Sequence, residues 1–351
     1  MNSVFIHAAA VLNAAGSECA DLLGAPTAAQ PLPFDAGRRA FAVAPPRLAG
    51  NLFDRKIQRS VEPQGLRLLH CAARLAPALE ALALPPERIA LTAAIPEVDA
   101  PSPCWDAVRA IAEQPQKKVA QLLANTPPLH ALTLLNSSVM AYVAEALHCQ
   151  GPMGGFCSGD NAGLDALIEA SRQIGEQSAD AALVVSSSPN LTPALYLREA
   201  DPSGEPVHGE GAAALLLSAS PPSGAGQVLR VAGFARGYTR DPQRAQAVGR
   251  RVIEQALSEE RLRPGDVGQV VGNVDDPQLL NLFDGLPRAV RSILPMTGDL
   301  GASTLLTEAA LTLHQSRDAA AEPGYTLLVS HSRGGHWGAL LLACESMEKY
   351  A

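Results

Sequence analysis

Residues 151–188, GPMGGFCSGDNAGLDALIEASRQIGEQSADAALVVSSS, are the stretch on which the fold turns. A run of small residues closes with Gly159, an apolar helical pattern fills 162–177, and AALVVSSS at 181–188 reads as a buried strand. A strand, a tight Gly-rich turn and a helix in succession put the turn residue at a helix N-terminus, where free N–H groups and the dipole favour negative charge. Such an elbow suits a nucleophile, and this one offers both Cys157 and Asp160.

The same alternation continues outward. RIALTAAI (88–95), AAALLLSA (212–219), QVLRVAGFA (227–235), QVVGNV (269–274) and YTLLVSHS (325–332) read as strands. GLRLLHCAARLAPALEALAL (65–84), SSVMAYVAEALHC (137–149) and QRAQAVGRRVIEQALSEE (243–260) read as helices. Layered α/β architecture follows from that order. SASPPSGAGQ (218–227) is the strongest Pro/Gly/Ser punctuation, so the chain divides into halves of 1–220 and 221–351.

Composition narrows the function classes. Charged residues are 18%, aromatics 4% and hydrophobics 47% of 351 residues, a compact α/β profile rather than a disordered one. The net charge of −8 would repel a phosphate backbone, and the basic clusters DRKIQR (54–59) and QKK (116–118) are short, which argues against nucleic acid. The opening MNSVFIHAAAVLNAAGSEC has no Lys or Arg before Arg38 and reads as a first strand and turn, not a signal peptide. No run reaches the roughly 18 apolar residues of a membrane span. Six cysteines without CxxC spacing (Cys19, Cys71, Cys104, Cys149, Cys157, Cys344) imply reduced thiols in a cytoplasm, with no metal and no cofactor expected.

Together, the landmarks resemble the β-ketoacyl synthases of the thiolase superfamily. The elbow segment from Gly151-Pro152 is similar to that family's nucleophile region, and EADPSGEPVHGEGAAALLLS (199–218) to its Gly-Glu-Gly turn and strand. LPMTGDLGASTLLTEAA (294–310) resembles the segment of the second catalytic histidine. VSHSRGGHWGALLL (329–342) resembles the closing Gly-rich strand pair, and RKIQRSVEPQGLRLLHCAARLAPALEAL (55–82) the early long helix. The resemblance implies a thiolase-like five-layered α/β/α/β/α fold built from two similar halves, with two sheets of mixed strands around a buried helix layer.

Carried over residue by residue, the resemblance also implies that the chemistry is gone. Counted from Gly151-Pro152, the nucleophile position is Asp160, and Cys157 comes three residues early. The first histidine position is Asn273 or Val274; the second is Asp299, one residue short of the family spacing; the lysine position before it is Leu294. An ionised carboxylate offers acceptors only and would repel an enolate, so condensation is not expected. Asp160 fits the role of a helix N-cap, which contributes about 0.5 to 2 kcal/mol. A proton-sharing pair of Asp160 and Asp299 is the chemical alternative. Cys157 reads as a small hydrophobe within the strand before the elbow, or as a displaced nucleophile. His208, His331 and His336 read as structural, the last two near the old pocket, and Glu210 as an anchor for turn N–H groups.

Within the superfamily these losses are the rule in chain length factors, non-catalytic partners of an active ketosynthase. The short form resembles the chain length factor-like subunits of aryl polyene pathways. The expected partners are a catalytic ketosynthase in a heterodimer and an acyl carrier protein that docks mainly through it. An active synthase or acyltransferase using Cys157, and a scaffold without acyl role, are the alternatives. ALTLLNSSVMAYV (131–143) would reach toward the partner's acyl tunnel, with Leu134, Leu135, Asn136, Ser137, Ser138 and Met140 as its wall.

Overall fold

The computed structural model describes residues 3–96, 104–126, 136–197, 207–220, 226–272, 282, 290–317, 324–332 and 334–346. In the first half of the chain the strands are β1 (Phe5–Asn13), a small ribbon β2 (Gln30–Leu32) and β3 (Asp35–Ala40), then β4 (Ile89–Ala94), β5 (Met153–Phe156), β6 (Ala181–Ser187) and β7 (Gly211–Ser218). The second half carries β8 (Gln227–Tyr238), β9 (Gln269–Gly272), β10 (Val290–Arg291), β11 (Tyr325–His331) and β12 (His336–Ser346). Helices of eight residues or more are α1 (Pro63–Arg74), α2 (Cys104–Glu113), α3 (Lys118–Asn125), α4 (Asn136–Ala146), α5 (Ala162–Gly175), α6 (Pro242–Ser258) and α7 (Thr304–Ser316).

Ten strands run in the order β10-β9-β11-β12-β8-β1-β7-β6-β4-β5. Outward from the β8/β1 seam, both directions repeat one pattern. β1–β7–β6 and β8–β12–β11 are antiparallel, and β6–β4–β5 and β11–β9–β10 are parallel. The seam itself is two residue pairs long, Phe5 with Arg230 and Ile6 with Leu229. The two sheets expected from sequence are therefore two five-strand groups hydrogen-bonded into one.

Period-two alternation then makes the layers. Along β7, Ala213, Leu215 and Leu217 face one cluster and Ala212, Ala214 and Leu216 another. Along β12, Leu340 and Leu342 join the first cluster, whereas Ala339, Leu341 and Ala343 join a third. The first cluster contains α5 and α7 with strand faces from both groups. The second adds α1 and α4, the third α6. Outer helices, strands, a middle pair of helices, strands and an outer helix give the five layers. Central strands buried on both faces read as continuous apolar runs, which is why Ala and Leu fill β6 and β7.

The helix expected over 65–84 is interrupted. α1 ends at Arg74 and a second short helix covers Ala76–Glu80, because Pro77 lacks an N–H and its ring crowds the carbonyl four residues back. The strand expected over 269–274 is described only to Gly272.

Arg67 of α1 is fully buried and ties distant segments together. Its Nη1 lies 3.2 Å from Glu210 Oε1 and its Nη2 donates to Asn190 Oδ1 at 3.0 Å. Glu210 also accepts from the N–H groups of Val43 and Leu191, so it anchors turn donors as the sequence suggested. Removing one member of a buried pair strands the other, at a cost of about 3 to 5 kcal/mol. Arg67→Ala is expected to lose that much in urea unfolding, and the double change Arg67→Met with Glu210→Gln to lose less.

Candidate functional site

The elbow forms where the sequence places it. β5 lies at the end of the strand order and pairs in parallel with β4; the chain then turns through 157–161 and enters α5. Gly159 has φ +62°, the left-handed region that a residue without Cβ reaches freely. Two corrections follow. Cys157 is exposed and sits one residue past β5, not packed within it, because the strand ends at Phe156. The N-cap of α5 is Asn161; Asp160 lies one residue earlier, in the 3-10 turn Gly159–Asn161.

Asn161 does not cap with its side chain but crosses to the other half. Its Nδ2 donates to the Trp337 carbonyl at 3.0 Å, and its Oδ1 accepts from Ser330 Oγ at 3.0 Å. Asp165, one turn into α5, accepts from Ser158 Oγ and forms an ion pair with Arg236 of β8. The elbow is thus held by groups from β8, β11 and β12.

The second carboxylate arrives on the turn before α7. Asp299 Oδ1 accepts from the Gly301 N–H at 2.8 Å and from Thr304 Oγ1 at 3.3 Å. Its backbone pairs with the Gly-Glu-Gly segment, with the Asp299 N–H donating to the Val207 carbonyl and its own carbonyl accepting from Gly209. Gly301, at φ +53°, lies against the elbow: a Cβ there would sit 3.5 Å from Asp160 Oδ1. The turn that carries Asp299 therefore lies against the elbow that carries Asp160, and each turn bears a carboxylate. Behind them Ser186 and Ser303 share a buried hydrogen bond of 2.9 Å.

The other residues singled out from sequence scatter in role. His208 packs edge-on against Tyr196, centroids 5.3 Å apart. His331 stacks on Trp337 at 3.9 Å and His336 tilts against Tyr238 at 4.8 Å. Met140 is buried, with its Sδ 3.1 Å from where a Cβ on Gly155 of β5 would lie. Asn136, Ser137 and Ser138 are on α4. Leu134, Leu135, Asn273 and Val274 lie outside the described residues. Among the described residues no helix is long and apolar enough to cross a membrane.

One titratable group escaped the sequence reading. Glu308 sits on α7 and is 2% exposed. Its signal was a lone carboxylate in the run TLLTEAALTL (304–313).

No family model and no curated protein sequence matches the chain. Solved structures do. The ishigamide ketosynthase/chain length factor superposes with a TM-score of 0.78 at 18% identity, covering 97% of this chain and 99% of that one. AntDE:AntF, a type II PKS acyl-carrier protein in complex with its ketosynthase bound to the hexaketide, gives 0.76 at 14%, over 98% and 99%. The ketosynthase ApeO in complex with its chain length factor ApeC, from Xenorhabdus doucetiae, gives 0.69 at 16%, over 98% of each chain. The chain has the thiolase-like fold of ketosynthases and chain length factors. At these identities the likeness is one of fold, and the ketosynthase fold here surrounds a pair of turns rich in acceptors.

Burial pushes the Glu308 carboxyl up to about 8, and the neighbouring Asp299 carboxylate pushes it the same way. The ordinary value is 4.5, so between 4.5 and about 8 the folded chain holds a proton that the unfolded chain releases. Stability from this group is present at low pH and lost as pH rises through that window, with a slope of at most about 1.4 kcal/mol per pH unit. Glu308→Gln is expected to flatten that slope and to stabilise the chain at pH 8 more than at pH 5, read from urea midpoints.

Proposed function

We propose that this chain is a chain length factor-like subunit without condensing chemistry of its own, which pairs with a catalytic ketosynthase and helps to set the length of a carrier-bound polyene, polyketide or fatty acyl chain. The observation that carries this reading is the fold retained over nearly the whole chain around Asp160 and Asp299. Condensation needs a thiolate to take the acyl group and donors to hold the enolate as carbon dioxide leaves. Two carboxylates provide neither.

Features of the surface support a partner subunit. β5 presents a sheet edge with Met153 exposed, and such an edge is a template for pairing with another chain. The hairpin of α2 and α3 exposes Val108, Val119, Leu122 and Leu123, with Val119 70% and Leu123 75% accessible; exposed apolar clusters of this size mark interaction sites. The likeness to the complex of the ketosynthase ApeO with its chain length factor ApeC supports such a pairing. Division into halves at 220/221 rests on the repeated strand pattern. Since Cys157 is exposed, a displaced thiol nucleophile is the second reading.

Co-expression with a ketosynthase carrying the cysteine and both histidines is expected to yield a stable heterodimer on gel filtration; two separate species would remove the reading. Incubated alone with malonyl or acyl carrier protein, the chain is expected to gain no acyl mass. An adduct lost in Cys157→Ser would establish the second reading instead. Asp160→Cys without any ketosynthase is expected to make no product, because both histidines would still be missing. In the heterodimer, Ser137→Phe is expected to shorten the product. Each two-carbon unit buries about 1.6 kcal/mol of apolar surface, so blocking space for one shifts the mass distribution of carrier-bound chains severalfold.

A further inference from the structure

Residues 236–251, RGYTRDPQRAQAVGRR, hold five arginines and one acidic residue in a chain whose net charge is −8. They form the end of β8 and the first half of α6, beside the β11/β12 hairpin. Arg236 is engaged with Asp165 at the elbow. Arg240, Arg244, Arg250 and Arg251 are exposed, and among the described residues no carboxylate lies within ion-pairing distance of them. Arg244 and Arg251 are seven residues apart, hence on one helix face and about 10 Å apart along the axis. Arg240 extends the row past the helix head.

Stability does not account for this row. Arg240 and Arg244 crowd the N-terminal end of α6, where the helix dipole disfavours cations by about 0.3 to 1 kcal/mol each. Acidic residues belong there, and Asp241 already serves as the cap, accepting from the Gln243 N–H. Beside the row stands Tyr238, 50% exposed and leaning on His336. An open cavity of about 510 Å³ lies at the same place, lined by Arg240, Asp241, Pro242, His331 and Gly335 among others. An exposed tyrosine next to a row of arginines is the composition of interface anchors.

We propose that the Arg240–Arg244–Arg251 row with Tyr238 is a docking surface for an acidic protein, and that this protein is the carrier protein. The inference rests on the functional reading above only for the partner's identity, and it places a docking surface on this subunit in addition to any on the ketosynthase. The charge complementarity is local: a row spanning a few helical turns matches one acidic helix, whereas a long nucleic acid would also meet the repulsion of the remaining acidic surface.

The test uses the whole chain, alone and in its ketosynthase complex, with a labelled unmodified acyl carrier protein as probe in fluorescence anisotropy. Saturable binding is expected for both, weakening about tenfold between low salt and a few hundred millimolar NaCl, since exposed charge pairs are screened within about 8 Å at physiological strength. The triple variant Arg240→Glu, Arg244→Glu, Arg251→Glu is expected to bind at least tenfold more weakly while keeping its circular dichroism and its ketosynthase complex. The triple change to Gln serves where the reversal fails to fold. Absence of binding by the wild type, unchanged affinity in the variants, or equally tight binding of poly-glutamate or a DNA duplex would overturn the proposal. Failure to form the ketosynthase complex while carrier binding stays arginine-dependent would defeat the functional reading and leave the docking surface standing.

Discussion

The close approach of Gly163 to the Ala302 carbonyl sets the geometry of the middle layer. A Cβ at 163 would lie 2.4 Å from that oxygen and 3.3 Å from Leu306 Cγ, so only glycine lets α5 start this near the turn that opens α7. Both helices are covered by strands on either side. Their separation therefore governs how the two five-strand groups close over them, and the β8/β1 seam needs only two residue pairs because the helices between carry the load of burial. The same contact brings the elbow and the 299–303 turn together. The site is a by-product of this close packing in the middle layer.

That dependence explains how this fold holds its two turns with carboxylates at 160 and 299. The groups that hold the two turns are Asn161, Ser330, the Trp337 carbonyl, Ser186 and Ser303, together with Asp299's own backbone pairing to residues 207–209. None of them needs a thiol or an imidazole at 160 or 299. Asp299 even adds to the turn, by accepting from the Gly301 N–H and the Thr304 hydroxyl. The cost appears elsewhere, at Glu308, which is left buried beside a second carboxylate and responds by keeping its proton.

A buried polar network spans the same region from the other side. Arg67, Glu210 and Asn190 join α1 to the turns after β6 and before β7. The turns after β6 and before β7 are thus fixed by charge-assisted bonds in the interior, and the elbow by neutral ones and by the Arg236–Asp165 pair near its rim. Arg236 also starts the exposed arginine row, so the interior of the site and its outer surface meet at one side chain.

Local pattern made most of the layers legible. Apolar runs bounded by Gly, Pro and Ser marked β4, β6, β7, β8 and β11, most plainly in β4, β6 and β7, which are buried on both faces and so have few polar positions. The Gly-Pro opening with its spacing to Asp160, and the order of the later landmarks, pointed to the fold. Sequence alone also determined the arginine excess at 236–251. Tertiary structure decided what depends on contacts across the chain. Cys157 became exposed because β5 ends one residue before it, at Phe156. Asn161 displaced Asp160 at the head of α5, and its side chain turned away to Ser330 and Trp337, more than 160 residues later. Glu308 became a perturbed acid only because α7 is enclosed on both sides. Period and spacing act within a few residues and are written in the chain; burial, pairing and proton affinity are set by neighbours that only folding brings near.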